Sequence, residues 1–213
     1  EALRSIVAKN PRLTDAWNKL GMTLTGMGRF SEALEAYQTA IKQEPSLSPE
    51  FALSIGALLL RMERYEEAAA HAELGRKLNP ASADILLSRI ALARGNPDEA
   101  AAHAKAASGD PNFRWAASVA LVEALTARGD VAAALALAEQ TRAQLIAAKL
   151  PLPEGLDFAR GDLYARMERN REAEAAFRDE IRSFPHHRQT YANLALLYTI
   201  EGRVAEARRL YEE

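Results

Sequence analysis

Small, apolar and acidic residues return along the chain in one order: GRFSEALEAY from Gly28, RYEEAAAHA from Arg64, GNPDEAAAHA from Gly95, GDVAAALALA from Gly129, NREAEAAF from Asn170 and GRVAEARRLY from Gly202. A period near 34 residues is that of a helix–turn–helix unit, whose first and second helices are called A and B here. Units start near Thr14, Pro49, Ala81, Trp115, Glu154 and Arg188. Residues 1–13 read as the B helix of a further, truncated unit, with Leu3 and Ile6 toward a missing A helix, and the chain stops inside its last B helix. The pattern predicts an all-α chain forming a single array of stacked helix pairs over 1–213.

Within each unit some positions are constrained in size. Ala33 recurs as Ala68, Ala100, Ala134, Ala173 and Ala207, where helix B should cross helix A closely. A larger side chain there overpacks the crossing, at a cost of about 1–3 kcal/mol. On helix A, Gly21, Gly56 and Gly161 are small, Ser88 and Ala195 approximate them, and Val122 departs. Pro45, Pro80, Pro111 and Pro185 stand near the ends of B helices, because proline lacks a donor and disfavours helical angles before it. Asn96-Pro97-Asp98-Glu99 reads as a helix start with a capping residue, a first-turn proline and a capping-box acid. Arg61-Met62-Glu63-Arg64 reappears as Arg166-Met167-Glu168-Arg169, a mark of duplication. Two places depart from the pattern. Leu145 to Leu150 continues apolar past the expected stop, and Pro151 to Gly155 then lengthens the junction; Arg160 and Glu180 stand where a large apolar and a small residue are expected, and are read as offsetting one another.

The first unit carries Trp17, Leu20, Gly21, Leu24, Gly28, Ala33, Tyr37, Ala40 and Pro45. At this spacing it resembles the tetratricopeptide repeat family. The resemblance implies a right-handed superhelical solenoid and a concave groove lined by set positions of the A helices. Carried onto this sequence, those positions give Asn18, Met22, Leu53, Leu60, Arg61, Ile85, Arg89, Leu92, Val119, Glu123, Phe158, Asp162 and Arg166, with Leu196 among those of the sixth unit. Leu53, Leu60, Ile85, Leu92, Val119 and Phe158 would make an apolar centre, suited to an amphipathic helix or an extended apolar peptide; the alternative is that they pack on neighbouring A helices. Chaperone-binding members hold a terminal carboxylate with Lys and Asn where this chain has Asn18 and Met22, so that clamp is not reproduced.

Composition narrows the chemistry. A formal charge of -2, with Arg and Glu intermixed, offers no basic stripe for phosphates or anionic lipid, so nucleic acid is not an expected partner. Without cysteine there is no disulfide, thiolate zinc site or thiol nucleophile. The longest apolar run, Phe51 to Leu60, is about half of the roughly 20 residues that span a bilayer. His71 and His103 occupy the same late position of successive B helices, where they are expected on the outer surface without acids at metal-ligand spacing; His186-His187 is read as a loop pair. No phosphate loop or nucleophile–base set is present, and no cofactor or metal is expected. The reading is therefore a binding protein, not an enzyme, that takes a protein or peptide in its groove. The alternatives are the non-catalytic repeat region of a larger bacterial enzyme of sulfatase or transferase type, or a scaffold that self-assembles through uncapped ends. An Ala- and Arg-rich chain suits a bacterial source, in either cytoplasm or periplasm.

Overall fold

The computed structural model describes residues 2–10 and 12–210, with the backbone alone at Thr14 and Leu47. Its helices are α1 (Ala2–Lys9), α2 (Thr14–Gly26), α3 (Phe30–Gln43), α4 (Ser48–Arg61), α5 (Tyr65–Arg76), α6 (Pro80–Ala93), α7 (Pro97–Ala107), α8 (Arg114–Arg128), α9 (Val131–Ala147), α10 (Leu156–Arg166), α11 (Asn170–Ser183), α12 (Arg188–Ile200) and α13 (Val204–Arg209). A 3₁₀ turn, Pro45–Leu47, leads into α4. Even-numbered helices are the A helices and odd-numbered ones the B helices.

Each A helix ends on one residue in the left-handed region: Gly28, Glu63, Gly95, Gly129, Glu168 or Gly202. The following residue then donates its N–H to the carbonyl five positions back, as in Arg29 to Leu24, Arg64 to Leu59, Asn96 to Ala91, Asp130 to Leu125, Arg169 to Tyr164 and Arg203 to Tyr198, all at 2.8–2.9 Å. This closure satisfies a carbonyl that the helix end would orphan and reverses the chain, and glycine adopts it at least cost. Four B helices then open with an arginine that forks onto a glutamate three residues later: Arg29 on Glu32, Arg64 on Glu67, Arg169 on Glu172 and Arg203 on Glu206, at 2.6–3.0 Å. These pairs are largely in water, so they mark the turn more than they stabilise it.

The expected cap at Asn96 takes another form. Its side chain donates to the Glu99 carboxylate at 3.3 Å and makes no bond to the backbone, so the amide is engaged by the acid of the first turn instead of by the helix N–H groups. Asn79 is the side chain that caps: its Oδ1 accepts the Ser82 N–H at 2.9 Å, with Pro80 opening α6.

Packing at the small positions follows the sequence. Ala33, Ala68, Ala100, Ala134 and Ala173 are wholly buried and Ala207 nearly so. A Cβ on Gly56 would lie 3.1 Å from the Ala68 carbonyl oxygen, which places the two backbones in direct approach. Gly21 and Gly161 are small for a different reason: a Cβ on Gly21 would lie 2.5 Å from the Tyr37 ring, and one on Gly161 would overlap the Phe177 ring. Helix B therefore lays an aromatic plate over the glycine of helix A.

The chain divides into two compact units, residues 1–110 and 111–213. In the first, Leu20, Leu24, Tyr37, Phe51, Ile55, Leu58, Leu59, Leu87 and Ile90 form the core. Val7 is the buried residue of α1, while Leu3 is half-buried and Ile6 is exposed. In the second unit the core is built from Val122, Leu125, Leu145, Leu156, Leu163, Phe177, Leu194 and Tyr198.

The long fourth junction lies inside the second unit. α9 runs 17 residues and then stops as an A helix does, with Lys149 left-handed and the Leu150 N–H bonded to the Leu145 carbonyl at 2.9 Å. Arg160 and Glu180 do not offset one another. Arg160 donates to Asp157 at 2.6 Å and to Glu139 at 2.9 Å. The Glu180 carboxylate, only 1% exposed, accepts the N–H groups of Gly155 at 2.7 Å and Phe158 at 3.3 Å. It thus caps α10 from the neighbouring helix, where the first N–H groups of a helix have no partners of their own. Burial pushes its carboxyl up from the usual range, and the two N–H groups pull it partly back.

Candidate functional site

In the second unit the A helices α8, α10 and α12 expose one groove. Its first section, about 340 Å³, is lined by Glu123, Thr126 and Ala127 of α8, by Gly155, Phe158, Ala159, Asp162 and Arg166 at α10, and by His187 and Gln189 before and within α12. Its second section, about 630 Å³, continues from Asp162 past Ala165, Glu168 and Asn170 to Phe177, Asn193, Leu196, Leu197 and Ile200. Asp162 belongs to both. Four sequence-assigned groove residues, Glu123, Phe158, Asp162 and Arg166, are therefore brought together.

Each wall of this groove has a local cause. Phe158 is half-buried, tilted on the Phe177 ring at 6.0 Å and on the His187 ring at 5.0 Å, so one edge stays in the groove. His187 is held by Nδ1 against the Thr190 hydroxyl at 2.5 Å, and Thr190 is buried at the start of α12. Asp162 accepts from Arg166 one turn on at 2.7 Å, an i,i+4 pair along the rim. Leu196 and Ile200, four residues apart on α12, are 58% and 71% exposed and form the apolar floor of the second section.

A charge network, buried at Asp157 and Arg160 and partly exposed elsewhere, stands behind this wall. Arg142 of α9 donates to Asp157 at 2.9 Å and to Asp179 of α11 at 3.1 Å; Arg160 joins Asp157 to Glu139, which also accepts the Tyr164 hydroxyl at 2.5 Å. Burial would raise the Glu139 carboxyl, but the Tyr164 and Arg160 hydrogen bonds outweigh it and hold it low. With its charges paired, the network fixes how α10 is presented against α9 and α11.

The other assigned residues are placed differently. Met22 and Arg89 are exposed, and Asn18 is half-buried with its Oδ1 unbonded. Ile85 and Val119 are buried, at 9% and 6% exposure, which leaves their side chains in packing rather than on a surface. Leu53 is half-buried against α5, its Cγ 2.6 Å from where a Gly75 Cβ would stand. Leu60 packs half-buried on the core of the first unit and Leu92 is half-buried. Arg61 lies over the Phe30 ring at 5.0 Å instead of standing free. A pocket of about 410 Å³ in this unit, with Arg4, Val7, Trp17, Leu20 and Glu32 in its lining, contains none of the assigned positions.

The histidines also differ from expectation. His103 is 24% exposed and its Nδ1 meets the Asp84 carboxylate at 2.9 Å. Asp84, itself buried, also receives Arg76. His71 is half-buried, and its Nδ1 is buried without a partner; burial lowers its pKa below the usual histidine range. Both are half-buried, and at His103 α6 supplies an acid that no local spacing announces. Sequence reasoning missed His187, Glu168, Asn193 and Ile200 as well. The last two sit three and four residues from Leu196 on α12, a spacing that could have found them.

Models of the tetratricopeptide repeat match residues 14–47, 81–106, 115–140 and 158–213, together more than half of the chain. The chain belongs to the tetratricopeptide repeat family. Among solved structures, a tetratricopeptide repeat protein of Parabacteroides merdae is 17% identical, with 92% of this chain aligned to 75% of that one at a TM-score of 0.78. A thermophilic protein of the family from Thermus thermophilus is 19% identical, with 87% of this chain aligned to 99% of that one at 0.74. A third, YrrB, described as having an unusual peptide-binding site, is 17% identical, with 91% aligned to 97% at 0.51. These likenesses establish the fold. No curated protein sequence matches the chain. Tetratricopeptide repeat proteins generally mediate interactions between proteins, and such scaffolds are typically non-catalytic. Among the described residues no helix is long and apolar enough to cross a membrane.

Proposed function

We propose that the chain is a protein-interaction scaffold whose repeats form one array, and that it receives a peptide or amphipathic helix along its A helices. The observation that supports this most is the groove of the second unit, where Leu196 and Ile200 stand in water beside a cleft walled by α10, α11 and α12. Large apolar side chains grouped on a surface mark a place that a partner covers. The groove is preformed, since the Glu180 cap and the Arg142–Asp157–Arg160 network fix α10 without a ligand. A relative described by its peptide-binding site is consistent with the reading.

The test is capture from lysate of the source organism, comparing this chain with a Leu196→Glu/Ile200→Glu variant. Both side chains are exposed, so the variant is expected to keep its melting temperature. A partner retained by the original and lost by the variant supports the groove. Equal recovery by both removes it from consideration.

A further inference from the structure

We infer that the α10–α12 section of the groove is built for a cationic amphipathic segment, a stretch of partner chain that presents Lys or Arg beside apolar side chains. The inference rests on the groove reading above and adds the chemistry of the occupant. Its apolar requirement comes from Leu196 and Ile200, which lie on one face of α12 and are more than half exposed. The electrostatic requirement comes from the rim. The second section carries two carboxylates, Asp162 and Glu168, and no basic side chain in its lining. Arg166, in the adjoining section, is paired to Asp162 and so neutralises one of the two. Glu168 stands at the turn after α10 in a left-handed conformation and is exposed. Asn170 and Asn193 supply amides that can both donate and accept. An acidic segment would face like charge there, which suppresses wrong partners, whereas a cation gains attraction without the cleft losing its apolar floor.

The experiment uses the whole chain and three labelled synthetic peptides of equal length, followed by fluorescence anisotropy at moderate salt. The first peptide is a helical Leu/Lys amphipath, the second the same pattern with Glu for Lys, and the third Lys/Ser without apolar residues. The Leu/Lys peptide should bind at least tenfold more tightly than either of the others. Leu196→Ser should weaken it by fivefold or more, and Glu168→Lys should weaken it while strengthening the Leu/Glu peptide. Met27→Ser, an equally exposed apolar position outside the groove, should leave binding unchanged; a loss there equal to that from Leu196→Ser means adsorption and overturns the inference. Equal binding of Leu/Lys and Leu/Glu peptides, both lost on Leu196→Ser, overturns the cationic preference and leaves the groove standing. Binding of the Leu/Lys peptide that ignores Leu196→Ser overturns both.

Discussion

Glu63 and Glu168 occupy the turn position that glycine holds in the other four A-to-B turns, with φ of 59° and 58°. An L-residue in this region costs roughly 1–2 kcal/mol, while glycine loses about 0.4–1 kcal/mol more entropy on folding. The balance favours glycine, so Glu63→Gly is expected to raise stability by about 0.5–1 kcal/mol, read from urea unfolding. An unchanged or lower midpoint would show that the Glu63 side chain contributes contacts that offset the strain. The Arg-Met-Glu-Arg segments carrying both glutamates are repeated in the sequence, and that repetition was visible there. Their backbone angle was not, since nothing in a glutamate announces φ above zero.

At the scale of helices, Glu180 shows how one element completes another. The carboxylate comes from α11, yet the groups it satisfies are the first N–H groups of α10. Glu180→Ala would leave those donors buried and open a small void, with an expected loss of about 2–4 kcal/mol in unfolding free energy. Because α10 carries Phe158, Asp162 and Arg166, the same variant should loosen the groove, which hydrogen exchange on α10 would register as lost protection in its first turn. Protection equal to that of the parent would mean that water replaces the cap. The departure of Glu180 from the small-residue pattern was legible along the chain; its partner was not, because the two N–H groups lie some two dozen residues upstream and meet it only when α10 and α11 pack.

The pH response of the folded chain gathers ion pairs that hold helices to one another. Glu174 of α11 accepts from Arg203, Tyr198 and Arg178, and these bonds, Arg203 first, hold its carboxyl at about 2. A carboxyl whose folded pKa lies below its unfolded value adds stability above that unfolded value, and the gain is lost as pH falls through the folded one. The window therefore runs from about pH 4.5 down to about pH 2. With a fifth of the side chain in water, the loss is expected to be about 1–2 kcal/mol, below the full shift. Glu32, Glu67, Glu172 and Glu206 are lowered by their arginines and act in the same direction. Glu180, raised by burial, acts in the opposite one: its contribution is present at low pH and lost as pH rises through its folded value. Urea unfolding at pH 7 and pH 3 should show the decline, and Glu174→Gln should reduce it; an equal decline in the variant would assign the effect to other groups. The sequence by itself determined the helix pairs, their turns and the small residues at each crossing, because these depend on spacing of three to five residues and on side-chain size. The tertiary structure decided which A-helix side chains face a groove and which are core: Ile85 and Val119 share their nominal role with Phe158, but packing buries the first two and leaves the third at an edge. It also decided the charge partners, Arg160 with Asp157 and Glu139, and Asp84 with His103. Burial and pairing depend on what neighbouring helices bring to a position, which a periodic pattern cannot specify.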